Sequence, residues 1–135
     1  MELSLRALKE SDYEDICSWW KWWRWPEIGR DTLPMNGMGG LMVYKDDILI
    51  AAGFLYLTNS NVALIEFVIS NPQYRQSDRK DALEVLIMGL EDVSRSQGRS
   101  TIVSFARNKS LMNIHEVLGY TVDKNPSYEI SKKIM

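Results

Sequence analysis

Few side chains in this sequence are placed to do chemistry. Glu66 is the one charged residue in the apolar run Val62–Ser70. A half-buried carboxylate holds its proton more tightly than usual, so Glu66 could take a proton from an ammonium group, directly or through water. His115 is the single histidine, and an imidazole can give or take a proton near neutral pH. The segment Arg75-Gln76-Ser77-Asp78-Arg79-Lys80 puts three cations in six residues just ahead of a helical pattern. Free N–H groups and the helix dipole favour an anion at such a helix start. All five tryptophans fall between positions 19 and 25. Each group also has a plainer reading: Glu66 as a rim residue or a partner for an arginine, His115 on a solvated helix face, the cations as a charged first turn. For the indoles the plainer reading is cover by the loop at 29–40.

The elements that must position these groups follow from periodicity. A first strand is expected over 3–8. Ser11-Asp12-Tyr13-Glu14 has capping-box spacing and predicts a helix start, and Pro26 limits how far that helix runs. Residues 29–40, rich in Gly, Pro and Asn, read as a loop. Strands are expected over 41–45, 48–58 and 62–70, with turns at 45–47 and 58–61. Strict alternation would set Leu64, Glu66, Val68 and Ser70 on one face of the third of these. Residues 78–97 form a helical pattern with Ala82, Leu86, Leu90 and Val93 in line, stopped by Gly98. A strand buried on both faces is expected over 101–105, then a helix over 110–118 stopped by Gly119. Residues 120–122 and 127–130 are expected to close the sheet as an antiparallel pair. On the first helix, Tyr13, Ile16, Cys17, Trp20 and Trp23 share a face, which turns Trp22 and Trp25 away from the core. Exposed indoles suggest an acceptor-pocket wall, a partner surface or a dimer seam.

Composition narrows the function classes. A chain of 135 residues, 45% hydrophobic and 25% charged, is expected to fold as one domain. Its net charge of -2 argues against nucleic-acid binding, which only the Trp and Lys/Arg interleaving would favour. One cysteine and one histidine supply neither a disulfide nor a usual structural zinc site. With no apolar run long enough for a membrane span and no signal-peptide pattern, a cytoplasmic protein is expected.

The order of strand, cationic loop, helix, strand and Gly-terminated helix resembles the GCN5-related N-acetyltransferase (GNAT) family. Pro72-Gln73-Tyr74-Arg75 matches the opening of the family's Pro-x-Tyr-Arg-Gly-x-Gly-x-Gly/Ala loop. Asn108, Gly119 and Tyr120 match its closing Asn-x-x-Ala-x-x-x-Tyr-x-x-x-Gly-Phe helix. The loop's glycines are replaced here by Gln76, Asp78 and Lys80, and Asp78 adds a carboxylate where phosphates would lie. The resemblance covers nearly the whole chain. It implies an α/β fold: a mostly antiparallel sheet of six or seven strands with one splayed parallel pair and flanking helices. The small size and Trp-rich helix also look similar to acetyltransferase-like proteins of tailed phages.

The same resemblance implies acetyl-CoA as cosubstrate and an amine as acceptor. Val68, Ile69 and Ser70 would meet the pantetheine arm, Arg75, Gln76, Ser77, Asp78, Arg79 and Lys80 the pyrophosphate, and Asn108 the cofactor arm. Glu66 would be the base, and His115, at the family's tyrosine position, the acid for the leaving thiolate. Trp22, Trp25 and Asp31 would shape the acceptor side. A second reading, from the lost glycines and the exposed indoles, is a catalytically weak or inactive module that binds a protein partner or dimerises through the Trp-rich helix.

Overall fold

The computed structural model describes residues 2–135. Its strands are β1 (Ser4–Ala7), β2 (Gly40–Lys45), β3 (Ile48–Leu57), β4 (Val62–Ser70) and β5 (Thr101–Ser104). Its helices are α1 (Asp12–Trp22), α2 (Arg79–Ser96) and α3 (Lys109–Val117), with two short 3-10 turns at Arg30–Thr32 and Pro34–Gly37. The strands form one sheet in the order β1-β2-β3-β4-β5. All neighbours are antiparallel except β4 and β5, which run parallel. The mixed α/β fold is the expected one, with five strands among the described residues rather than six or seven.

The missing strands are those expected at the C-terminal end. Residues 120–135 carry no helix or strand. Tyr128 and Ile130 are 88% and 91% exposed, so residues 127–130 have no apolar face against the sheet. Its ionic ties, Lys124 to Glu116 at 3.4 Å and Arg107 to Glu129 at 3.6 Å, involve mostly exposed groups, worth at most about 1 kcal/mol each. β5 is therefore an edge strand. That is why Val103 is 39% exposed instead of being covered on both faces.

Each face of the sheet carries its own core. On one side Val43, Ile65, Val68, Leu86, Leu90 and Ile114 pack α2 and α3 against the strands. On the other, Ile16, Trp20, Met42, Phe54 and Ile69 pack α1. Gly89 allows the close approach of α2, because a Cβ there would lie 2.6 Å from Leu5 Cδ1.

The start of α1 differs from the expected capping box. Ser11 has helical angles and no side-chain cap. Asp12 does the work instead: its carboxylate accepts from the Lys9 N–H at 2.7 Å and from two nitrogens of Arg6 at 2.7 and 2.9 Å. Asp12 is only 2% exposed. Burial alone would raise its carboxyl, but the bonds from Arg6 and Lys9 outweigh that and hold it below the usual range.

The end of α1 is set by a reversal at Arg24, whose φ is 64°. The Arg24 N–H bonds to the Lys21 carbonyl at 3.1 Å and the Trp25 N–H to the Trp20 carbonyl at 2.8 Å. That is a Schellman turn without glycine. It stops the helix before Trp25 and changes which indoles are core. Trp19 and Trp20 are buried, whereas Trp23 is 36% and Trp22 48% exposed. Helical phase places Trp22 outward as expected. Trp23 is no core residue, because it lies in the last turn, beyond the strands that cover Trp20.

Two stability outcomes follow from these contacts. Trp20→Ala should cost about 3–5 kcal/mol and Trp22→Ala about 0.5 kcal/mol or less in denaturant melts; equal costs would mean Trp22 is as covered as Trp20. Arg6→Met should cost about 2–4 kcal/mol at neutral pH by stranding a buried carboxylate. The Asp12 carboxyl is held low in the folded protein, so the pair stabilises above the unfolded carboxyl value and is lost as pH falls through the folded one. The deficit of Arg6→Met should therefore shrink as pH is lowered into the range near about 4. A deficit independent of pH would show that the pair is not what α1 rests on.

Candidate active site

β4 and β5 pair only from Val62 opposite Thr101 to Ile65 opposite Ser104. Beyond Ile65, β4 runs on to Ser70 while the chain after β5 turns away into α3. The separation begins at a bulge. Ala52 pairs with Ile69 and Phe54 with Glu66, so β4 spends three steps where β3 spends two. Phe67 takes up the extra residue with φ 56°.

The bulge also overturns strict alternation along β4. Ile65 and Val68 face the α2/α3 core, and Phe67 packs with Ile69 on the α1 side. Glu66 and Val68 therefore do not share a face. Period-2 reasoning cannot find a bulge when no glycine or proline marks it.

Between the diverging strands lies a cleft of about 800 Å³. Val68, Ile69 and Ser70 of β4 line it, with Arg79, Lys80 and Leu83 of α2. Arg107, Asn108 and the first turns of α3 form the opposite wall, and Trp23 and Trp25 enclose it from α1.

The α2 end of the cleft is cationic. Arg79 donates to Ser70 Oγ at 2.6 Å and stacks over the Trp23 ring at 5.3 Å. Burial, and then the charge of Arg75, pulls its guanidinium below its ordinary value. Lys80 lies beside it on the wall. Asp78 precedes the helix without capping it. Its carboxylate accepts from the Tyr74 hydroxyl at 2.5 Å and from Lys45 Nζ at 2.9 Å. Those two bonds, Tyr74 first, hold the carboxyl below its usual range. Asp78 thus turns its charge toward Lys45 and off the cleft wall. Arg75, Gln76 and Ser77 are exposed and do not line the cleft.

The other end of the cleft is built around Arg107. This guanidinium pairs with Glu66 and lies 5.1 Å from the Phe67 ring centre and 5.6 Å from that of Trp25. Glu66 raises it above its ordinary value. Glu66 also accepts from the Phe67 N–H at 3.0 Å and does not itself line the cleft. Asn108 caps α3 by accepting from the Leu111 N–H at 2.8 Å while lining the cleft. Trp23 Nε1 donates to the Ser70 carbonyl at 2.9 Å, so one indole already satisfies a free carbonyl of the splayed strand.

Three further expected site residues stand apart from this cleft. His115 is 3% exposed, packs edge-on against Tyr120 and bonds through Nδ1 to the Leu111 carbonyl at 2.8 Å. A carbonyl only accepts, so Nδ1 carries the proton, and burial lowers the imidazole below its ordinary value. A neutral ring in this tautomer offers no second proton. Trp22 and Asp31 are exposed and line no part of the cleft. Conversely, sequence reasoning missed Trp23 and Arg107. Trp23 was hidden by treating α1 as continuing past residue 23. Arg107 carried one signal, its place beside Asn108 at the end of the last strand.

No family model matches the sequence, and none of the curated proteins matches it significantly. Solved structures do share its fold. An acetyltransferase from Trypanosoma brucei superposes with a TM-score of 0.64 at 18% identity, over 96% of this chain and 100% of that one. AAC(6')-Iy, in complex with the bisubstrate analogue CoA-S-monomethyl-acetylneamine, gives 0.70 at 15% identity over 98% and 100% of the two chains. The PaiA N-acetyltransferase of Thermoplasma acidophilum, in complex with coenzyme A, gives 0.68 at 16% identity over 93% and 94%. The chain has the fold of the GNAT acetyltransferases.

Proposed function

We propose that the protein is an acetyl-CoA-dependent N-acetyltransferase whose acceptor is an amine. The observation that carries the reading is the cleft where β4 leaves β5, cationic at the α2 end and apolar between its walls. The structural neighbours in complex with coenzyme A or a CoA-based analogue support the choice of cosubstrate.

The residues fit that cosubstrate by chemistry. Arg79 and Lys80, at a helix N-terminus, suit a pyrophosphate, with Arg75 of the preceding loop exposed nearby. Gln76, Ser77 and Asp78 belong to the same loop, with Asp78 neutralised by Lys45. Val68 and Ile69 give the arm an apolar wall, and Ser70 and Asn108 polar groups along it. The thioester carbonyl supplies the electrophile. The amine attacks it directly in a ternary complex, the C–N bond forms, the C–S bond breaks and CoA leaves as the thiol. A backbone N–H of β4 beyond Ile65, where the strand has left β5, would polarise the carbonyl. Glu66, paired with Arg107 at the edge of the cleft, takes the amine proton through water. His115 holds α3 to its neighbours, and the leaving thiolate draws its proton from water.

The competing reading, a protein-binding module without catalysis, is favoured by one contact: Trp23 already bonds to Ser70 in the cleft. Calorimetric titration with acetyl-CoA separates the two. Binding should raise the melting temperature, with about 2.7 kcal/mol of stabilisation when the ligand is at 100 times Kd. Arg79→Ala should weaken it. No heat and no thermal shift at millimolar acetyl-CoA would leave the binding module standing.

For His115, the expected effect is on stability. His115→Ala should destabilise by about 1–3 kcal/mol and leave the pH profile of acetyl transfer unchanged. A pH profile that loses its alkaline limb in the variant would restore His115 as the proton donor.

A further inference from the structure

We propose that the acceptor is an amine that also carries a carboxylate, such as an amino acid, and that Arg107 is the residue that recognises it. The inference rests on the transferase reading above and names the substrate class of the same cleft.

The cleft has two ends, distinguished by their place on β4. The anion-binding end lies at Ser70, with Arg79, Lys80 and the start of α2. With a pyrophosphate there, an arm running along Val68–Ser70 reaches the bulge at Phe67. Three strand residues separate the two points, about 10 Å. The reacting carbonyl therefore comes to the end built from Arg107, Trp25 and Phe67.

Charge at this end selects the acceptor. The residues lining the cleft include the cations Arg79, Lys80 and Arg107 and no carboxylate. Glu66 and Asp78, the nearest acids in the two walls, turn to Arg107 and Lys45. Asp31, the loop carboxylate expected on the acceptor side, is exposed and lines no part of the cleft. Aromatic faces are the other means of holding an ammonium group. Here they are already covered, Trp23 by Arg79 and Trp25 and Phe67 by Arg107. A polyamine or other polycation would find cations on two of the walls and no carboxylate in the lining.

Arg107 is arranged to receive an anion. Glu66 engages Nη1 from behind, and the Nη2 edge, 3.6 Å from the mostly exposed Glu129, is beyond hydrogen-bond distance of it. A substrate carboxylate displacing that exposed neighbour would find a planar donor edge fixed between two aromatic rings. Its amine would then stand near the carbonyl and near Glu66, which accepts the proton through water. One N–H bond is lost, one C–N bond forms, and CoA leaves protonated.

Matched acceptor pairs that differ only in the carboxylate test this directly: phenylalanine against phenethylamine, tryptophan against tryptamine, lysine against cadaverine. Release of free CoA thiol from acetyl-CoA is the readout, with acetyl-CoA affinity measured by calorimetry alongside. The carboxylate member of at least one pair should give kcat/KM ten-fold or more above its partner. Arg107→Gln should remove that preference by raising KM for the carboxylate member while acetyl-CoA affinity stays within about two-fold. A thermal melt checks that the variant is folded; should it not be, Arg107→Lys, which keeps the charge and loses the fork, should give the intermediate preference. Equal or greater turnover of the decarboxylated amines would overturn the inference and leave the transferase reading intact. Failure of acetyl-CoA to bind would overturn both.

Discussion

The backbone at Phe67 is the constraint on which the cleft depends. A bulky residue with φ 56° sits in a region that costs an L-residue about 1–2 kcal/mol. Packing compensates for it. The Phe67 ring lies edge-on to Trp20 at 6.4 Å and to Tyr56 at 6.5 Å, and the Arg107 guanidinium lies over its face. Gly53 stands on β3 within the bulged stretch of the β3–β4 register. A Cβ there would already lie 3.3 Å from Val68 and Leu90. Without the extra residue β4 would keep its register with β3. With it, β4 bends where its pairing with β5 ends, and a ligand can enter between two strands of one sheet.

Charge around the cleft is organised by turning acids away from it. Asp78 is tied to Tyr74 and Lys45, and Glu66 to Arg107 and the Phe67 N–H. Asp78 thereby satisfies both oxygens behind the wall and Glu66 gives Oε1 to its two partners, while Arg79, Lys80 and Arg107 line the space. The loop without glycines can hold an anion on these terms, since side-chain donors from Arg79 and Lys80 supplement what a backbone cradle would provide.

The Schellman turn at Arg24 has a consequence for the same space. Had α1 continued, Trp23 and Trp25 would have followed helical phase onto opposite faces. The reversal instead lets Trp23 reach the Ser70 carbonyl and Trp25 lie against Arg107. This side of the cleft is therefore walled by the residues that end a helix, held by two backbone bonds and two guanidinium stacks.

Local periodicity was enough to find the strands at 41–45, 48–58 and 62–70, the long helix near 78–97 and its stop at Gly98, whose φ is 76°. Those features depend on neighbours within a turn or a pleat. The cationic start of the long helix could be read for the same reason, and Asn108 from the closing-helix motif that the sequence resembles. The bulge at Phe67, the ion pair of Glu66 with Arg107 41 positions away, and the burial of His115 against Tyr120 could not be. Nor could the unpaired C-terminal segment, whose alternating residues look like a strand but lack a covering layer. Each depends on which surfaces meet after the chain has folded. Packing of Phe67 outweighs its backbone preference, and the reach of Arg107 decides where Glu66 points. The order of residues thus carries the fold and the cationic end of the cleft at α2, whereas long-range packing decides the end around Arg107.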